Sequence, residues 1–140
     1  MDWSQINDAP KFDQCVNGKT IEAKVVDVYD GDSIKAIFPL NGTLYKWTCR
    51  LGGVDTPELR TSNAAEKAMG YKVRDVLREQ IMDQVVSLQC GELDKYGRLL
   101  VTVYKNDICM NDWLIENKYA FAYDGGTKKS WATYLENQSM

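Results

Sequence analysis

The apolar positions of this chain switch between a two-residue and a helical period, and the switches mark its elements. From Lys19 onward, Ile21, Ala23 and Val25 alternate with Glu22 and Lys24, and Val26 and Val28 continue on the other parity. That slip predicts a bulge or a strong bend near Val25. Tyr29-Asp30-Gly31-Asp32-Ser33 then reads as a tight hairpin connection. A second strand over 33–38 sets Ile34, Ala36 and Phe38 on one face and stops at Pro39. Asn41-Gly42 turns the chain into a third strand over 43–51, with Tyr45, Trp47, Cys49 and Leu51 on one side and Lys46, Thr48 and Arg50 on the other. Arg50 is therefore expected to point away from the aromatic row.

Helical spacing takes over after Glu58. Asn63 is placed to cap a helix with Glu66 at its third position, close to a capping box. Ala65, Met69, Val73, Val76, Leu77 and Ile81 then recur over about 18 residues, leaving Lys67, Arg74, Arg78 and Glu79 to a solvated face. Strands return over 85–90 and 99–104. In the second of these Leu99, Val101 and Val103 share a face, so Arg98 takes the opposite parity, as Arg50 does. A short amphipathic helix from about residue 111 to 118, an extended stretch over 120–123 and a tail helix carrying Trp131 and Tyr134 complete the pattern. Residues 1–18 show no usable period and read as an arm on a domain covering 19–140. The element order predicts an α+β, mainly β fold: a five-stranded Greek-key barrel of the OB type with about three packed helices. The pattern alone leaves an open α+β sandwich as the other solution.

Composition narrows this picture in two places. The net charge is −3 and the pI about 5.0, whereas a protein that grips nucleic acid through phosphates carries a clear positive excess. A polyanionic ligand would thus have to meet local positive charge or a bound cation. Cys15, Cys49, Cys90 and Cys109 form no Cys-x-x-Cys pair, and the chain has no histidine to complete a zinc site, so partly buried free thiols are expected, with a disulfide between two of them as the alternative. With 140 residues, no internal repeat, no apolar leader and no membrane-spanning run, the expectation is one soluble domain, monomeric and cytoplasmic, with release or non-classical export left open.

Without histidine, acid, base and charge stabiliser must come from Asp, Glu, Lys, Arg and Tyr. Arg50-Leu51-Gly52-Gly53-Val54-Asp55-Thr56-Pro57-Glu58 puts one guanidinium and two carboxylates on a short loop stiffened by Pro57. Asp30, Asp32, Asp55 and Glu58 are hard oxygen donors at turns and strand ends, suited to Ca²⁺ or Mg²⁺. An EF-hand is excluded, because the residues after Asp32 lack the later oxygen ligands and the glycine that loop needs. Carboxylates for a cation, another for water and two arginines make the set that phosphodiester hydrolysis calls for.

Tyr29–Ser33, Arg50–Glu58 and Asp94-Lys95-Tyr96-Gly97-Arg98 resemble the three signature blocks of the staphylococcal nuclease, or thermonuclease, family, in order and at compatible spacings. The resemblance runs from about Lys19 to Tyr123 and implies a five-stranded barrel of the kind read above. It implies that Asp32, Asp55 and the Thr56 carbonyl ligate one Ca²⁺, with Asp30 in support. It implies that Glu58 orients or deprotonates water, that Arg50 and Arg98 clamp the phosphate, and that Lys95, Tyr96 and Tyr123 line a nucleotide pocket. The implied reaction is cleavage of DNA and RNA, single strands preferred, with 3′-phosphate products. Phe121 stands where a pocket tyrosine is expected, which removes one hydroxyl contact and leaves a ring to stack. The loop after Glu58 is short and lacks a run of lysines, which predicts a weak grip on long duplexes. The other reading is an inactive single-strand-binding module of the same fold. Such degenerate copies lack several catalytic residues, whereas Asp32, Arg50, Asp55, Glu58 and Arg98 are all present here.

Overall fold

The computed structural model describes residues 2–138. Strands β1 (Thr20–Val28), β2 (Ser33–Leu40) and β3 (Thr43–Leu51) are followed by the short β4 (Val54–Asp55) and helix α1 (Ala64–Ile81). Then come β5 (Val85–Leu93), β6 (Leu99–Lys105), the short β7 (Ile108–Cys109), helix α2 (Met110–Glu116), the short β8 (Phe121–Ala122) and helix α3 (Trp131–Gln138). The five long strands bond in the order β3-β2-β1-β5-β6, and β3 returns to β6 through the parallel pairs Cys49↔Leu99, Arg50↔Leu100 and Leu51↔Val101. That return closes the sheet into a barrel. Its interior is filled by Val25, Ile34, Phe38, Leu51, Leu88, Leu99 and Val103, all fully buried.

The bulge falls where the parity slips. The β1–β2 register shifts between Val25 and Asp27, so Ala23, Val25 and Val28 all reach the core from one strand. β2 does not stop at Pro39: it runs to Leu40, which pairs with Thr43. Its pairing with β1 has already ended at Ile37, so the donor that Pro39 lacks is not needed there.

Strands β1 and β2 form the expected hairpin, closed by the Tyr29 N–H donating to the Ser33 carbonyl at 2.9 Å, but its connection is not a two-residue primed turn. Neither Asp30 nor Gly31 has positive φ; that geometry belongs to Asn41-Gly42, at 52° and 84°. Asp30 Oδ1 instead accepts from the Asp32 N–H at 3.1 Å. Space explains Gly31: a Cβ there would lie 2.5 Å from Val73 Cγ1 and 2.9 Å from Thr56 Cβ. The acidic turn is thereby pressed against α1 and the Asp55-Thr56 step.

Helix α1 starts where expected, with Asn63 Oδ1 accepting from the Glu66 N–H at 2.8 Å, a cap worth about 1 kcal/mol. Its buried stripe, Gly70, Val73, Leu77 and Ile81, is narrower than the sequence pattern suggests, since Ala65 is exposed. Arg78 also leaves the solvated face, donating from Nε to the Val28 carbonyl at 3.0 Å. At the N-terminal end Val16 enters the core, and Phe12 stacks on Trp47, which stacks on Phe38 with ring centroids 4.5 Å apart. The four cysteines are free thiols.

Asn111, at the start of α2, is a buried polar pin. Its Oδ1 accepts from the Val103 N–H at 2.9 Å, and its Nδ2 donates to the Gly52 and Val101 carbonyls at 2.8 and 3.1 Å. It ties the loop leading to Asp55 onto β6. Asn111→Ala is expected to lower stability by about 2 kcal/mol, because it strands the buried Val103 N–H and leaves the Gly52 carbonyl without the Asn111 donor. Urea unfolding should show a lower midpoint at unchanged slope; a midpoint equal to the parent's would refute the pin.

Candidate active site

Three turns meet at one end of the barrel, and Arg50 lies at their junction. Its Nη1 donates to the Leu51 carbonyl at 3.0 Å, and its Nη2 to the Val54 carbonyl at 3.2 Å and to Asp32 Oδ2 at 3.4 Å. Asp32, Arg50, Asp55 and Thr56 are all buried, while Glu58 sits exposed at the rim. As the alternation along β3 predicts, Arg50 avoids the aromatic row, yet the loop that follows folds back over it. Asp55 is fixed by the antiparallel pairing of β4 with β8, where it faces Phe121.

Glu58 is held by two contacts to α1 that the sequence pattern does not show. A Cβ on Gly70 would lie 2.9 Å from the Glu58 carbonyl oxygen and 3.1 Å from that of Pro57, so only glycine lets this loop rest on the helix. Glu66 Oε2 accepts from the Glu58 N–H at 3.0 Å. This replaces the return bond of a capping box: the carboxylate reaches across to the loop instead of back to Asn63.

The cluster carries more negative charge than its cations offset. Burial, reinforced by the charge on Asp32, pushes the Asp30 carboxyl up to about 7. Burial also raises Asp55, although the Lys128 ammonium opposes it. Glu58 is raised by loss of solvent and then by Asp32 and Asp55. Lys128, from the segment before α3, places Nζ 3.4 Å from Asp55 Oδ1. Trp131 donates from Nε1 to the Asp55 carbonyl at 3.3 Å. Neither contact is predictable from spacing, since both partners lie more than seventy residues beyond Asp55. The donors are all oxygen, which fits a hard cation, although among the described residues no group of three or more His, Cys, Asp or Glu is close enough to hold one.

The remaining predicted residues form two neighbouring groups. Arg50 pairs with Leu100 across β3 and β6, so the alternation along β6 carries Arg98, two residues earlier, onto the same face of the sheet. No hydrogen bond or ion pair among the described residues joins Arg98 to the buried cluster. Asp94 holds it instead, accepting from Arg98 Nε at 2.8 Å and from the Arg98 and Tyr96 N–H groups at 2.9 Å each. Partial burial raises the Asp94 carboxyl, but these donors outweigh it and hold the group below the ordinary aspartate value. Nε being engaged, the terminal nitrogens of Arg98 remain for another acceptor. Lys95 and Arg98 both lie over the exposed Tyr96 ring, at 5.2 and 5.4 Å.

Phe121 and Tyr123 line a separate cavity of about 320 Å³ that also includes Asp55 and Gly53. Phe121 is not a bare ring: it stacks on Trp131 with centroids 4.2 Å apart and meets the edge of Tyr134. The Tyr123 hydroxyl donates to the Gly126 carbonyl at 3.0 Å.

A closed five-stranded barrel with buried carboxylates and a guanidinium under one loop, beside a cavity with aromatic walls, defines a small OB-like domain with a built polar site. The family profile described as staphylococcal nuclease homologue matches residues 48–139, and the chain belongs to that family. Endonuclease Htp3 of Saprolegnia parasitica is 29% identical over 136 residues, covering 86% of this chain and 64% of that protein. Endonuclease YncB of Bacillus subtilis is 30% identical over 116 residues, 79% of this chain and 53% of that protein. The thermonuclease of Staphylococcus hyicus is 33% identical over 101 residues, 71% of this chain and 57% of that protein. The chain spans roughly half to two thirds of the length of the curated relatives it matches.

In an unencumbered helix Gly70→Ala would stabilise by about 1 kcal/mol. Here it is expected to lower the melting temperature and displace Glu58, because the added methyl meets backbone oxygens; a rise in melting temperature would refute the close approach. Asp94 has a depressed carboxyl, so its contribution to stability is present above the ordinary aspartate value and is lost as pH falls through the lower folded value. The melting-temperature gap between wild type and Asp94→Asn should therefore be wide at about pH 7 and narrow at about pH 2.

Proposed function

We propose that the chain is a calcium-dependent, sugar-non-specific nuclease that hydrolyses phosphodiester bonds of DNA and RNA, favours single strands and leaves 3′-phosphate ends. The observation that carries this reading is the burial of Arg50 between Asp32 and the loop presenting Asp55, with Glu58 at the rim. Asp32, Asp55 and the Thr56 carbonyl would hold one Ca²⁺, with Asp30 in support; the surplus of buried carboxylate fits such an ion. When bound, the ion supplies polarisation of the phosphate and relief of the carboxylate repulsion.

The chain's own groups do the rest. Glu58, at the rim and with its carboxyl raised by loss of solvent and by the charge on Asp32, is placed to orient water and accept its proton. Arg50, fixed by two carbonyls and Asp32, and Arg98, fixed by Asp94, offer pre-oriented guanidiniums to the phosphate oxygens, where charge builds as water adds. Water attacks phosphorus as Glu58 takes its proton, the P–O5′ bond breaks, the O5′ leaves as a 5′-hydroxyl after taking a proton from solvent, and the phosphate stays on the 3′ end of the upstream fragment. Lys95, Tyr96, Phe121 and Tyr123 take the nucleotide, the last two through the cavity beside Asp55. In this reading 19–140 is the catalytic unit, 1–18 an arm against it, and the domain acts as a cytoplasmic monomer. No helix among the described residues is long and apolar enough to cross a membrane.

The test is cleavage of single-stranded DNA, plasmid and RNA at mildly alkaline pH with Ca²⁺, with Mg²⁺ and with chelator. Wild type should cut all three with Ca²⁺, while Glu58→Gln and Arg50→Ala should each lose about 10² to 10⁴ in rate. A wild type inert with every ion would end the nuclease reading.

A further inference from the structure

A second cavity, of about 440 Å³, lies beyond Glu58, and its lining runs against the acidic character of the chain. Lys67, Tyr71, Arg74 and Arg78 recur at steps of four, three and four along α1 and so form one stripe. Arg60 and Tyr29 complete the wall, and Asp27 is the carboxylate among the lining residues. Four of the chain's seventeen lysines and arginines thus converge on one concavity.

The cations are arranged rather than scattered. Arg74 lies 4.7 Å from the centre of the Tyr71 ring and is steadied by Asp75 at 3.0 Å. Arg78 is anchored through Nε to the Val28 carbonyl, which leaves the terminal pair of its fork for another acceptor. Arg60 and Lys67 are exposed and have no carboxylate partner among the described residues. The position is equally specific. Tyr29 adjoins Asp30, and Leu59 and Arg60 adjoin Glu58, whereas the Phe121–Tyr123 cavity includes Asp55.

We propose that this cavity is a second phosphate-binding subsite, which takes a phosphodiester of a single strand one or more nucleotides from the bond held at Arg50. The inference rests on the nuclease reading for the identity of the strand. Arginine forks and a lysine recognise the phosphate, and Tyr29 and Tyr71 offer ring surface to an unstacked base. The strand then enters at one cavity, crosses the carboxylate cluster and leaves by the other. The helix face thus adds Lys67, Arg74 and Arg78 to Arg60, the cation that the loop after Glu58 carries.

Equilibrium binding of a fluorescent oligothymidylate of about twenty nucleotides, measured in chelator, tests this without requiring cleavage. Arg60→Glu/Lys67→Glu is compared with the charge-matched Lys24→Glu/Lys46→Glu, exposed positions on β1 and β3. The first pair should weaken binding about tenfold or more and reduce the slope of log affinity against log salt by about 1.4, the value for two lost single-strand phosphate contacts. The control pair should change affinity less than about twofold. Equal losses in both variants would reduce the cavity to a net-charge effect, and no loss in either would remove it from the strand's path; both outcomes overturn the proposal. Failure of the nuclease reading shows separately, as wild type that binds the strand but cuts nothing with any ion.

Discussion

The acidic end of this barrel depends on one buried guanidinium. Arg50 is covalently part of β3, hydrogen-bonded to the carbonyls of the loop that follows, and in contact with Asp32 from the preceding connection. Burying like charges is costly unless a cation and fixed donors share the volume. Arg50 supplies both, and it also sets the curvature of the loop that carries Asp55 and Glu58. The parallel return of β3 to β6 makes this possible, because it closes the barrel beneath Arg50 and leaves the side chain room only among the turns.

Much of this was legible in the sequence because it rests on period and local turn chemistry. The slip at Val25, the Asn63 cap and the alternation that separates Arg50 from Cys49 and Leu51 are properties of neighbouring residues, and short-range rules reach them. Glycine misled where its reason was space. Gly31 reads as a turn former next to aspartates, yet its φ is ordinary and its role is to admit Val73 and Thr56. Gly70 stands out in no pattern along the helix, yet it is the seat of the Glu58 loop. Glu66 reads as a capping partner and serves the loop instead. Each miss concerns a contact between segments remote in the chain, which no window of sequence contains.

The same division separates the site residues. Asp32, Asp55 and Glu58 sit in or beside connections whose residue types announce them, and the family's signature blocks include them. Lys128 and Trp131 belong to a segment with no such signal, and they reach Asp55 only because β8 pairs with β4 and α3 packs behind it. Asp94 was visible within its block but carried no evident task. The structure gives it one, since it accepts from two backbone amides and fixes the side chain of Arg98 at the same time.

The pairing of Asp55 with Phe121, and the bond from Trp131 to the Asp55 carbonyl, also bear on how the molecule is made. During synthesis the carboxylates, Arg50 and Glu58 leave the ribosome early, while the wall that holds Asp55 emerges some seventy residues later. A nascent chain therefore carries the charged groups of this cluster without the frame that aligns them. The centre comes together only after the segment containing Trp131 has been translated and has docked.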